Sequence, residues 1–159
     1  MKIIAISAYG KNREIGLDGK LPWSYPDEYR HYQDTVRGHY LIVGRKNYQG
    51  NEEDVAIGKP LILTRDDSFK PSSKAQVFFS PDDLWDFLKE KNPAKVFVIG
   101  GEEIYRLFLK KDWLDEMILS EVSYSGKADT YFPKFNLSDW KVLSTKEHKD
   151  FQVTHYQRL

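Results

Sequence analysis

The sequence contains no cysteine, which excludes disulfides, thiolate metal centres and cysteine nucleophiles. It has no surplus of either charge. Its 24 lysines and arginines balance 24 aspartates and glutamates. Without a global field there is no general attraction to nucleic acid or anionic lipid, so any anion site must be built locally. The four histidines, His31, His39, His148 and His155, include no pair at the i, i+4 spacing of metal ligands, and no metal is expected. No apolar run approaches membrane-spanning length. Ile3, Ile4, Ala5 and Ile6 after Met1 make too short a stretch for a signal peptide. A cytoplasmic protein without membrane or nucleic-acid partners is the expectation.

What remains is ordinary for a globular chain: 159 residues, 40% hydrophobic and 30% charged, enough for one domain with one core. No repeat, low-complexity tract or linker divides it. Lys2 to Ala8 reads as a buried strand because its isoleucines fall on both faces. Tyr40 to Val43, Pro60 to Thr64, Gln76 to Phe79 and Lys95 to Ile99 read the same way, and Met117 to Val122 is a further strand. Trp140 to Ser144 and Phe151 to Gln157 suit a closing antiparallel pair.

Helix starts are marked by their own chemistry. Ser80-Pro81-Asp82-Asp83 places a capping serine before proline and first-turn acids, and Leu84, Phe87 and Leu88 supply an apolar face. A second helix is expected after Gly101, with Ile104, Leu107 and Phe108 inward. A third is expected near Pro26, where Tyr25, Tyr29, Tyr32 and Val36 recur at helical spacing. Alternating strands and helices imply a largely parallel sheet, which binds ligands beyond its strand C-termini.

Three segments carry candidate chemistry. In Val98-Ile99-Gly100-Gly101-Glu102-Glu103 a strand ends in two glycines and a helix follows. Free N–H groups at such a helix start favour an anion, although for a lone Gly-Gly a bare strand-to-helix turn is the better reading, and this is not the GxGxxG fingerprint. Gly44-Arg45-Lys46 follows another strand and Arg65 a third. Cations at successive strand ends suit a phosphate, while each taken singly reads as a solvated charge. In Pro22-Trp23-Ser24-Tyr25-Pro26-Asp27-Glu28-Tyr29, Glu28 shares a helical face with Tyr32. A carboxylate beside an aromatic stripe is open to desolvation and proton handling. The competing reading is an acid that favours the helix dipole.

Taken in order, Ile15-Gly16-Leu17-Asp18-Gly19-Lys20-Leu21-Pro22-Trp23, Pro26-Asp27-Glu28, Gly44-Arg45, Val98-Ile99-Gly100-Gly101 with Tyr105, and Asp129-Thr130-Tyr131-Phe132-Pro133 resemble the dihydrofolate reductase family. The resemblance implies an α/β fold, with an eight-stranded, mostly parallel sheet, an antiparallel C-terminal strand and four flanking helices. It implies hydride transfer from NADPH to dihydrofolate by a monomer. By position, Glu28 is the acid of the pterin pocket, Trp23 orders a water, and Ile6, Tyr32 and Ser120 line the pocket. Ala8, Ile15 and Ile99 position the nicotinamide, and the loop through Gly16, Leu17, Asp18, Gly19 and Lys20 covers the site. Gly100, Gly101, Glu102, Glu103, Ile104 and Tyr105 receive the pyrophosphate. Arg45, Lys46, Asn47, Thr64 and Arg65 surround the remaining phosphates. Lys59 stands where the family carries an arginine for the folate carboxylate, and Glu52, Glu53 and Asp54 precede it. Two rival readings are a reductase of the same fold acting on a tail-less pterin or a riboflavin-pathway pyrimidine, and a nucleotide binder without catalysis.

Overall fold

In the computed structural model, which describes residues 1–71 and 75–159, each apolar run of the sequence is a strand. The elements are β1 Lys2–Tyr9, β2 Glu14–Gly16, α1 Pro26–Val36, β3 Tyr40–Gly44, α2 Arg45–Tyr48, α3 Glu52–Val55, β4 Lys59–Leu63 and β5 Gln76–Phe78. They continue with α4 Pro81–Lys91, β6 Lys95–Gly100, α5 Glu102–Lys110, β7 Glu116–Val122, β8 Thr130–Tyr131, β9 Trp140–Glu147 and β10 Phe151–Arg158. Eight strands make one sheet in the order β5-β4-β3-β6-β1-β7-β10-β9. Neighbours from β5 to β7 pair in parallel, and β10 runs antiparallel to both β7 and β9. The expected sheet is therefore present, with one reversed strand near its C-terminal edge. A second ladder, β2 with β8, has strands of three and two residues, too short to leave a period-two pattern in the sequence.

Among the described residues five α-helices flank the sheet rather than four. The segment after β3 forms two single turns, α2 and α3, separated where Gly50 adopts φ 87°, a left-handed conformation that glycine takes without steric cost. The marked helix starts are realised. The Ser80 hydroxyl accepts from the Asp83 N–H at 3.1 Å, and Pro81 opens α4. No described helix is long and apolar enough to cross a membrane.

Strand alternation assigns each helix a face. Ile3, Ala5, Ile42, Leu61, Val96, Val98, Met117 and Leu119 point to one side, where Leu84 and Leu88 of α4 and Tyr105 and Phe108 of α5 cover them. Ile4, Ile6, Leu41, Val43, Ile62 and Phe97 point to the other, under Val36 of α1, Tyr48 of α2 and Val55 of α3. The two layers are here called the α4/α5 face and the α1 face.

Candidate active site

Toward the strand C-termini the α1 face changes character. Ala8 of β1 pairs with Ser120 of β7, and Ile6 with Ile118. Glu28 arrives over these strands from the first turn of α1, which Pro26 opens. Asp27, one residue earlier, stays at the surface and pairs with Arg30 at 3.5 Å. Glu28 turns inward and is only 6% exposed. Its carboxyl has lost most of its water, which raises its pKa to about 7, and a hydrogen bond from Ser120 opposes that rise. Tyr32, one turn further on, packs on the same face, and burial pushes its phenol well above the usual range.

Trp23 joins the site from the preceding loop. It packs with Ala8 and Tyr25 against Val122, Phe151 and Val153, and its ring lies 5.5 Å from that of Tyr124. The indole Nε1 is buried and has no hydrogen-bond partner among the described residues. Trp23, Tyr25, Glu28 and Tyr29 line a cavity of about 230 Å³. The loop before Trp23 is a tight reversal in which Leu17 and Lys20 exchange backbone hydrogen bonds of 2.8 and 3.1 Å, and Asp18 and Gly19 take φ of 52° and 79°. Asp-Gly is the residue pair such a turn demands. Asp129 fastens the loop from outside. Its carboxylate accepts from the Asp18 N–H at 2.9 Å, and its own N–H donates to the Gly16 carbonyl at 2.9 Å.

A second set of groups gathers along the same sheet edge. Gly44 pairs with Leu63, and Val43 with Gly100, so the chain leaves β3, β4 and β6 side by side. Arg45 and Lys46 follow β3, Thr64 and Arg65 follow β4, and Gly101 follows β6. Arg45 donates to Gln49 at 2.9 Å, and its Nε is buried without a partner among the described residues. Arg65 is 93% exposed and faces Glu103 at 3.9 Å, a weak surface pair. A Cβ on Gly101 would meet nothing within 4 Å, so open space lies before the start of α5. There the N–H groups of Glu102 and Glu103 lack intrahelical partners.

Some expected residues stand differently. The N–H groups of Ile104 and Tyr105 are already bonded to the Gly101 carbonyl at 3.0 Å. Their side chains join the α4/α5 core, and the Tyr105 hydroxyl donates to the Ile6 carbonyl at 2.7 Å. Asn47 directs its amide to the Ile99 carbonyl at 3.4 Å, bracing Gly100 rather than facing outward. Ile15, in β2, leans on the α4/α5 core. Lys59 is not brought to the site at all. It pairs with Tyr40 at the opposite end of β4, and its ammonium lies 5.2 Å over the Tyr40 ring. Tyr40 packs with the α4/α5 core, so the Lys59 side chain lies on the face opposite Glu28, where nothing supports the expected grip on a folate carboxylate. A one-residue register, invisible in an exposed lysine, decides the matter.

Sequence reasoning missed Glu14. This carboxylate is 1% exposed and accepts N–H groups from Asn12 at 2.6 Å and Gly126 at 3.0 Å. These bonds hold its pKa down despite burial. It ties the loop after β1 to the loop before β8, and no local pattern marks it.

The family model described as dihydrofolate reductase matches residues 2–158. The chain belongs to the dihydrofolate reductase family. The dihydrofolate reductase of Staphylococcus haemolyticus is 32% identical over 166 residues, covering 100% of this chain and 97% of the relative. That of Staphylococcus aureus is 30% identical, covering 94% and 89%. Among solved structures, the Enterococcus faecalis dihydrofolate reductase complexed with NADP(H) and RAB-propyl superposes with a TM-score of 0.86 at 20% identity. It covers 99% of this chain and 96% of that one, and at such identity the likeness speaks for the reductase fold.

Proposed function

We propose that this family member reduces dihydrofolate to tetrahydrofolate with NADPH, as a single-domain cytoplasmic monomer acting on a small-molecule substrate. The observation that carries this reading is one carboxyl group, Glu28, buried beside a cleft at the strand C-termini and poised at about 7. A carboxyl at that poise exchanges protons near neutrality, where general acid–base groups work best. It holds the amidine edge of the pterin and keeps a proton available to the ring nitrogen of the imine being reduced. Ile6, Tyr32 and Ser120 form the apolar and hydroxyl walls of the pocket, and the Trp23 indole offers an N–H donor inside it.

The residues at the other end fit a phosphorylated dinucleotide. The unpartnered Arg45 Nε and the open space before Gly101 are what an anionic backbone requires. Arg45, Lys46, Thr64 and Arg65 would hold phosphate, and the first N–H groups of α5 the diphosphate. Ala8 and Ile99 would flank the nicotinamide, beneath the loop from Gly16 to Lys20. When bound, that ring supplies the hydride. The chain's own residues orient the substrate, exclude water and hold the proton.

Oxidation of NADPH, followed by its near-ultraviolet absorbance with dihydrofolate present and absent, tests the reaction. Glu28→Gln keeps the shape and removes the proton exchange, so the rate should fall about 10²–10⁴-fold. Wild-type turnover in that variant would overturn the assignment.

A further inference from the structure

The residue after Glu28 is tied to a neighbouring helix. The Tyr29 hydroxyl, on α1, donates to the carboxylate of Asp54, on α3. Both helices cover the α1 face, through Val36 and Val55, and Tyr29 lines the same cavity as Glu28. Its ring lies nearly parallel to that of Tyr32, with centroids 6.2 Å apart and planes at 16°. Asp54 is close enough to Tyr32 for its charge to oppose ionisation of that phenol, as the charge of Glu28 also does. Among the described residues no cation pairs with Asp54. Lys59 stands on the other face of the sheet over Tyr40, and Arg30 is turned to Asp27.

We propose that Tyr29 and Asp54 form a specificity-determining clasp across the outer end of the substrate cleft, one that disfavours anionic substituents on the dihydropterin and favours short or neutral ones. The proposal rests on the reduction put forward above. A ring held at its edge by Glu28, in the cavity that Tyr29 also lines, would carry its substituent past the Tyr29–Asp54 pair. A long substituent must part the two groups, and a carboxylated one must also approach an aspartate that pairs with no cation among the described residues. Asp54 is exposed, so its repulsion of a second carboxylate acts through solvent and is open to screening by salt.

Steady-state kinetics with dihydrofolate and with a dihydropterin bearing only a methyl group, at low and high sodium chloride, test this. Asp54→Asn keeps an acceptor oxygen for the Tyr29 hydroxyl and removes the charge. The ratio of the dihydrofolate KM to the methyl-dihydropterin KM should fall about three- to fivefold at low salt, the scale of one partly screened charge pair, and the difference should shrink at high salt. Tyr29→Phe opens the clasp and leaves the charge, so it should lower the ratio less and without the salt response. If Asp54→Asn does not fold, Tyr29→Phe decides alone. A merely structural role for the pair would move both KM values together and leave the ratio fixed, which overturns the clasp. A wild-type enzyme that reduces neither compound overturns the reaction and the clasp with it. One that reduces both, with a ratio that neither variant moves, overturns the clasp and leaves the reaction standing.

Discussion

On the α4/α5 face of the sheet, Ile3, Ala5, Val96 and Val98 meet Leu84, Leu88 and Phe108, all of them 1% exposed or less. On the α1 face the same strands begin equally dry, at Ile4, Leu41 and Phe97. Toward their C-termini they give way to half-buried Ala8 and Ile99 and to a carboxyl over Ser120. Period-two alternation supplies both layers at once. It lets one face be filled for stability while the other is left partly open for a ligand. The proposed chemistry therefore lies on the face that packs less completely, and the two properties should be separable by mutation.

The sharpest separation comes from the filled layer. Phe108→Ala removes a ring that is 0% exposed and should cost about 3–5 kcal/mol of stability. Urea denaturation measures the loss, and turnover well below the shifted midpoint should survive. A comparable loss of turnover in the still-folded variant would show that the faces are coupled.

The open face yields the opposite result. Glu28 has a folded-state pKa of about 7 against an ordinary value of 4.5, so between those values the folded chain holds a proton that the unfolded chain has released. Its contribution to stability is complete below pH 4.5 and is lost as pH rises through 7. Glu28→Gln does not titrate and should be more stable than the wild type at pH above 7, by up to about 3 kcal/mol, with the advantage fading on acidification. Thermal melts of both proteins across that range check the sign. An inactive variant that is also less stable at alkaline pH would contradict the burial argument.

How far the sequence revealed each face follows from the same contrast. Buried strands announce themselves by unbroken apolar runs, so β1, β3, β4, β6 and β7 were legible to within a residue or two. Ser80 and Pro81 marked α4, and Pro26 marked α1. Glu28 was visible as a candidate because an acid sat on an aromatic stripe. Its burial was not, since Asp27 beside it has the same local chemistry and faces water. Lys59 was misplaced because an exposed cation carries no record of which face its strand presents. Glu14 and the Tyr29–Asp54 bond depend on partners 112 and 25 residues away, which no window of sequence contains.

At the phosphate end the comparison becomes one between two arginines. Arg45 has a buried, unpartnered Nε, whereas Arg65 is 93% exposed and already faces Glu103. Charge-assisted hydrogen bonds contribute about 1.5–3 kcal/mol, so Arg45→Ala should weaken NADPH about tenfold to a few hundredfold. Arg65→Ala should do less, because solvent screens it. Titrations followed by tryptophan fluorescence, with NADH as the control lacking the added phosphate, rank the two. Equal effects of both variants on NADH and NADPH would remove these cations from the site of the added phosphate.

The smallest expected effect tests the finest feature of the open face, the hydrogen bond from Ser120 to Glu28. A hydroxyl donating to a carboxylate stabilises the charged form and so lowers its pKa, and here it works against the larger effect of burial. Removing it in Ser120→Ala leaves burial unopposed, and the Glu28 pKa should rise further. If the reaction needs the proton that Glu28 holds, kcat/KM of the wild type falls as pH rises through about 7. The same fall in Ser120→Ala should then occur at higher pH. The acid limb and the maximal rate offer a control, since a general disturbance of the pocket would depress the plateau without moving the midpoint. A midpoint displaced toward acid would show that the Ser120 hydroxyl favours the protonated carboxyl, reversing the role assigned to it. An unmoved midpoint would show that the pH dependence of the rate belongs to the substrate ring rather than to Glu28.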